Sequence, residues 1–108
     1  MKIIHPSEGN LLREKSNVLC LDIRECFEYE VENLGWTNVP MEQVIEFLKQ
    51  EGVSKDQKLL LLCNSGKRAS ALGNLLETEQ AFVDVYIVED GMQGWSRWIE
   101  IEQGKDSL

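Results

Sequence analysis

Leu59-Leu60-Leu61-Leu62-Cys63-Asn64-Ser65-Gly66-Lys67-Arg68-Ala69-Ser70 reads as a buried strand, a tight loop and the start of a helix. Its apolar run is continuous instead of alternating, the pattern of a strand covered on both faces, as in a parallel sheet. Cys63 stands where that strand ends, and the carboxyl ends of strands are where open α/β sheets hold their ligands. A thiol at this place faces the N–H groups of the loop and the positive end of the following helix dipole, with two cationic side chains, Lys67 and Arg68, close behind. All three effects favour thiolate over thiol, which makes Cys63 the candidate nucleophile. Gly66 suits a loop curled around an anion, because positive φ and close backbone approach exclude most side chains. Asn64, Ser65, Gly66, Lys67 and Arg68 are accordingly the candidate substrate-binding residues.

Working outward, Val18-Leu19-Cys20-Leu21-Asp22-Ile23 and Val85-Tyr86-Ile87-Val88 are two further short apolar runs, and Lys58 opens the central one. Met41, Val44, Ile45 and Leu48 recur at i, i+3, i+4 and i+7, so 41–51 is expected to be an amphipathic helix, with Pro40 before it and Gly52 after. Ala69, Leu72, Leu75 and Leu76 mark a second helix over about 67–77, with Gly73 a minor cost inside it. Helices alternating with buried strands predict an α/β fold, a mostly parallel sheet with helices on both faces. No repeat, low-complexity tract or Pro/Gly/Ser linker interrupts the chain, so residues 1–108 are expected to form a single domain.

The chain has 108 residues, 43 % of them hydrophobic and 28 % charged, a balance that can bury a core and excludes a disordered polymer. Its net charge of -8 argues against nucleic acid or an anionic membrane surface as the main partner, since both need a basic face. Three cysteines cannot all pair, and the start, Met1-Lys2-Ile3-Ile4-His5-Pro6, lacks a long apolar region, so a reducing cytoplasm is the expected compartment. The run Leu59–Cys63 is too short to span a bilayer, which needs about 20 apolar residues. Cys20 and Cys26 have no second pair and only the distant His5 for company, so no metal and no cofactor is expected. A P-loop is excluded as well, because Leu61 holds the required glycine position and Arg68 follows the lysine.

The loop resembles the active-site loop of rhodanese-family sulfurtransferases, a cysteine followed by a short glycine-containing stretch and a closing cation. Leu21-Asp22-Ile23-Arg24-Glu25 with Glu28-Tyr29 is similar to that family's D-x-R-E-x-x-E-Y signature. Asn38-Val39-Pro40 resembles its lead into the next helix, and Val88-Glu89-Asp90-Gly91-Met92-Gln93-Gly94-Trp95 its closing L-x-G-G-x-x-x-W element. The likeness covers about residues 3–99 in order and implies the rhodanese-like three-layer fold. One stretch departs: Glu32-Asn33-Leu34-Gly35-Trp36 stands in place of G-H-I-x-G-A, one residue shorter and without its histidine. A similar Asn-Leu-Gly variant occurs in rhodanese domains attached to enzymes that activate sulfur-carrier proteins.

Dual-specificity phosphatases of the same fold are similar too, but they place five residues between cysteine and arginine, whereas only Asn64 to Lys67 intervene here. The smaller cradle suits a sulfur atom. The resemblance thus implies transfer of sulfane sulfur from thiosulfate or a persulfide through a Cys63 persulfide to a thiol, cyanide or sulfur-carrier protein. The other reading is a catalytically weak module that binds a partner or relays sulfur. Among the remaining candidates, Cys20 is expected in the core, and Cys26 on a loop as an ordinary thiol or, less simply, a resolving one. Asp22 and Arg24 are expected to pair structurally near the site. His5 shows no partner in the sequence, and Trp36, Trp95 and Trp98 either pack at the domain edge or line an acceptor pocket, packing being favoured for Trp95.

Overall fold

The structure, a computed structural model, describes residues 1–106. Five strands, β1 (Lys2–Ile4), β2 (Val18–Asp22), β3 (Thr37–Asn38), β4 (Lys58–Leu62) and β5 (Val85–Val88), form one sheet in the order β1-β5-β4-β2-β3. Every pairing is parallel, with Leu21 opposite Leu61 and Leu61 opposite Ile87. The helices are α1 (Pro6–Leu12), α2 (Cys26–Val31), α3 (Val44–Gln50), α4 (Lys67–Thr78) and α5 (Gly91–Asp106). None is long and apolar enough to cross a membrane.

The two-residue pleat of β4 builds both halves of the core. Leu59 and Leu61 face one way and join Leu21, Ile23, Val44, Leu48, Leu72, Leu76 and Ile87, the side covered by α3 and α4. Leu60 and Leu62 face the other way and join Ile4, Trp36, Val88, Met92 and Trp95, on the side where α5 lies against β5 and α1. All four leucines are fully buried, each contributing roughly 1.5–3 kcal/mol relative to exposure. The run lacks polar alternation because neither of its faces meets water. The expected α/β architecture, a parallel sheet between two helical layers, is therefore the observed one.

The strand expectations for β2, β4 and β5 hold to within a residue. The helix expected over 41–51 is instead divided, with a 3-10 turn at Met41–Gln43 before α3. The Met41 N–H is held by the Ile23 carbonyl at 3.0 Å, and the Gln43 N–H closes on the Pro40 carbonyl at 2.8 Å. Tying the first turn to the end of β2 tightens it, and 3-10 turns are common at helix starts. His5 does have a partner: its Nδ1 accepts the Ser7 N–H at 3.1 Å and so caps α1. Cys26 lies not on a loop but at the first residue of α2, a helix whose start is set by a capping box between Glu25 and Glu28.

Candidate active site

Cys63 leaves β4 and turns at once into the loop before α4. It is fully buried. Its Sγ accepts N–H groups from Gly66 at 3.1 Å and Ala69 at 3.3 Å, the second belonging to the first turn of α4. These donors lie among the helix N–H groups that have no partner within α4, so the sulfur meets oriented dipoles in place of water. Cys20 lies elsewhere in the sheet. It is half-buried on β2, and burial pushes its thiol up to about 11, against a smaller lowering by Arg13.

The loop keeps its shape through two glycines. Gly66 sits at φ +95°, and a Cβ there would come within 3.3 Å of the Asp90 nitrogen. Gly91 sits at φ +56°, and a Cβ there would lie 2.3 Å from the Cys63 carbonyl oxygen. That close approach lets the start of α5 seize the loop: the Met92 N–H donates to the Cys63 carbonyl at 2.8 Å and the Gln93 N–H to the Asn64 carbonyl at 3.1 Å. The free N–H groups of α5 are thus spent on fixing loop carbonyls. Spacing within the loop says nothing of this clamp, whose only sequence trace is the Asp90-Gly91 turn.

The two loop cations part company. Lys67 is exposed. Arg68 instead makes a two-pronged pair with Glu28, Nη1 to Oε1 at 2.8 Å and Nη2 to Oε2 at 2.9 Å. The bond from Arg68 holds the Glu28 carboxyl below its ordinary range, burial opposing, and Glu28 in turn raises Arg68. Glu28 also accepts the Glu25 N–H at 3.0 Å, so one side chain joins the starts of α2 and α4. The Glu25-x-x-Glu28 spacing carries a capping signal, but nothing in it points to Arg68. Asn64 and Ser65 are half-buried.

Behind this pair Arg24 and Asp22 form the expected buried ion pair, Nη2 to Oδ2 at 2.8 Å and Nε to Oδ1 at 3.0 Å. Arg24 also donates to the Glu32 carbonyl at 2.7 Å, which satisfies the end of α2. The stretch lacking the family histidine closes locally: the Asn33 side chain accepts the Gly35 N–H at 2.9 Å, and the Tyr29 hydroxyl donates to the Trp36 carbonyl at 2.7 Å. Trp95 is edge-on to both Trp36 and Trp98, with ring centroids 5.8 Å apart in each case, so these rings pack against one another. Among the described residues no three His, Cys, Asp or Glu side chains converge as a metal site requires.

A cleft of about 600 Å³ opens beside the loop, between α2 and α5; Phe27, Val31, Asn64, Met92, Gln93 and Arg97 are among its walls. Phe27 and Val31, on the α2 wall, lie outside the residues that sequence reasoning singled out.

Cys63 thus stands at the carboxyl end of a parallel strand with two N–H groups at a helix start aimed at its sulfur, in an α/β fold. The chain matches the Rhodanese-like domain family over residues 6–97 and belongs to it. It is 25% identical over 99 residues to a tRNA uridine(34) hydroxylase of Bdellovibrio bacteriovorus, covering 87% of this chain and 28% of the relative. It is 28% identical over 111 residues to one of Cytophaga hutchinsonii, covering 99% of this chain and 34% of the relative. The chain therefore spans about a third of the length of these curated relatives. Among solved structures it is similar to a rhodanese-like domain protein of Staphylococcus aureus, with a TM-score of 0.71, 27% identity, and 88% and 91% of the two chains covered.

Proposed function

We propose that the chain is a sulfurtransferase that carries sulfane sulfur on Cys63. The observation that carries this reading is the pair of N–H groups, from Gly66 and Ala69, aimed at Sγ inside a loop with four residues between Cys63 and Arg68. A thiolate held this way attacks the outer sulfur of thiosulfate or of a persulfide. The S–S bond of the donor breaks, sulfite or a thiolate leaves with the electron pair, and the sulfur remains on Sγ. The same N–H groups then face the persulfide, and an acceptor thiol, cyanide or carrier protein removes its outer sulfur. In the resting protein Lys67 is the more available cation for an anionic donor, since Arg68 is engaged by Glu28. Asn64, Ser65 and Gly66 complete the proposed cradle, which requires neither metal nor cofactor.

Hydroxylation of a tRNA uridine, which the curated relatives' name states, is not carried over. The chain covers about a third of those proteins, and its net charge of -8 opposes an RNA backbone. The test is intact-mass measurement after incubation with thiosulfate and, separately, with glutathione persulfide. Wild type is expected to gain one sulfur atom and Cys63→Ser none, while Cys20→Ser and Cys26→Ser keep the gain. No gain with either donor leaves the partner-binding module as the surviving reading.

A further inference from the structure

The α2 helix has no buried residue. It is held by polar contacts, the Glu25–Glu28 box and the Arg24 guanidinium, and not by burying an apolar face. Its two large apolar side chains, Phe27 and Val31, stand four residues apart on one face and are 66% and 86% exposed. Both border the cleft that reaches the loop at Asn64. Cys63 itself is fully buried and is not part of the cleft wall, so a docked partner meets its sulfur only through a group that projects from the partner's surface. Side chains this exposed cannot be covered by a small donor seated in the cleft; covering them takes a macromolecular surface.

Charge selects the kind of surface. Glu30 and Glu32 are exposed on and beside the ridge, and the Arg97 guanidinium on the opposite wall is engaged by Asp90 at 2.9 Å. Arg24 is paired with Asp22 and Arg68 with Glu28, so these arginines are already matched; Lys67 on the loop is exposed, while the ridge itself is acidic. The field of the whole chain has the same sign.

From this we infer that the Phe27–Val31 ridge and the cleft beside it dock a protein partner with an apolar patch edged by lysine or arginine, which presents a persulfide on a projecting segment. The inference rests on the sulfur-transfer reading and names its donor class. The step balances within the two proteins: the Cys63 thiolate attacks the outer, proton-bearing sulfur of the partner's R–S–SH. The partner's S–S bond breaks, R–S⁻ leaves, and Cys63 becomes the persulfide.

The probes are a short peptide persulfide in which leucines lie beside lysines, the same peptide with glutamates for the lysines, and thiosulfate. Wild type is expected to take sulfur about tenfold faster from the lysine peptide than from the glutamate peptide. In Phe27→Ser/Val31→Ser the ratio of lysine-peptide rate to thiosulfate rate is expected to fall about tenfold. Both positions are exposed, so the variant is expected to keep its melting temperature. An unreactive lysine peptide, with serine for cysteine and followed by fluorescence anisotropy, separates docking from chemistry. If that peptide binds in a ridge-dependent way while no donor transfers sulfur, the transfer reading fails and the docking surface stands. If its binding and the rate ratio are unchanged in the variant, the surface is refuted. A dimer that the variant dissociates in sedimentation velocity refutes it too, because the ridge then serves a second copy of the chain.

Discussion

In the core Arg24 and Asp22 are 4% and 0% exposed, whereas between the starts of α2 and α4 Arg68 and Glu28 are 36% and 22% exposed. Both pairs set a guanidinium against a carboxylate at 2.8 Å, and three of the four residues come from one seven-residue stretch, Asp22–Glu28. The difference lies in what water does to each. A buried pair has lost its hydration and cannot give up one partner without stranding the other, so it acts as a fixed strut. A pair with water at its edge is screened and exchangeable, so Arg68 can leave Glu28 for an anion at modest cost. One arginine is thus locked into the architecture, and the other is free to exchange partners, as the proposed sulfur transfer would use it.

The largest expected effect tests the strut. Arg24→Met strands the Asp22 carboxylate in the core and releases the Glu32 carbonyl, and is expected to cost about 3–5 kcal/mol in denaturant unfolding. A loss below about 1 kcal/mol would show that the buried pair is no more demanding than the exposed one. The second test sharpens the contrast through non-additivity. Asp22→Asn/Arg24→Met removes both charges, and its cost is expected to fall short of the summed single variants by about 1–3 kcal/mol, whereas additive costs would mean that neither charge depends on the other.

Glu28→Gln gives the smallest expected change. It keeps the acceptor for the Glu25 N–H and removes only the ion pair, at under about 1 kcal/mol near pH 7. Arg68 lowers the folded-state pKa of Glu28, so the pair's stabilisation is fully present above the ordinary glutamate value of about 4.3 and is lost as pH falls through the lowered one. Wild type and variant are therefore expected to converge in stability between about pH 4 and lower values. A difference that persists or grows in acid would refute the ionic account.

The readable parts of this chain are those whose cause is local. Four leucines in succession announce a strand with two covered faces, and Met41, Val44, Ile45 and Leu48 announce an apolar helical stripe, since both patterns arise from side-chain periodicity. Cys63, Gly66 and Lys67 could be picked out as a candidate cradle because the loop lies between two such elements. What could not be read has distant causes. α2 has no apolar stripe to reveal it, its exposed Phe27 and Val31 marking a surface instead of a core. Glu28 meets Arg68 across 40 positions of sequence. The 3-10 turn at Met41–Gln43 follows from the Ile23 carbonyl, just past the end of β2.

By itself, then, the sequence determined the alternation of strands and helices and the place of a cysteine at a strand end, because hydrophobic period and turn chemistry act over a few residues. Only the tertiary structure decided which charges remain available there. Arg68 pairs with Glu28 and Arg24 with Asp22, and the α5 amides hold the loop carbonyls, through contacts made when the sheet brings distant segments to one edge. Coulomb attraction and desolvation depend on those separations in space and on the water between the groups, neither of which sequence order records.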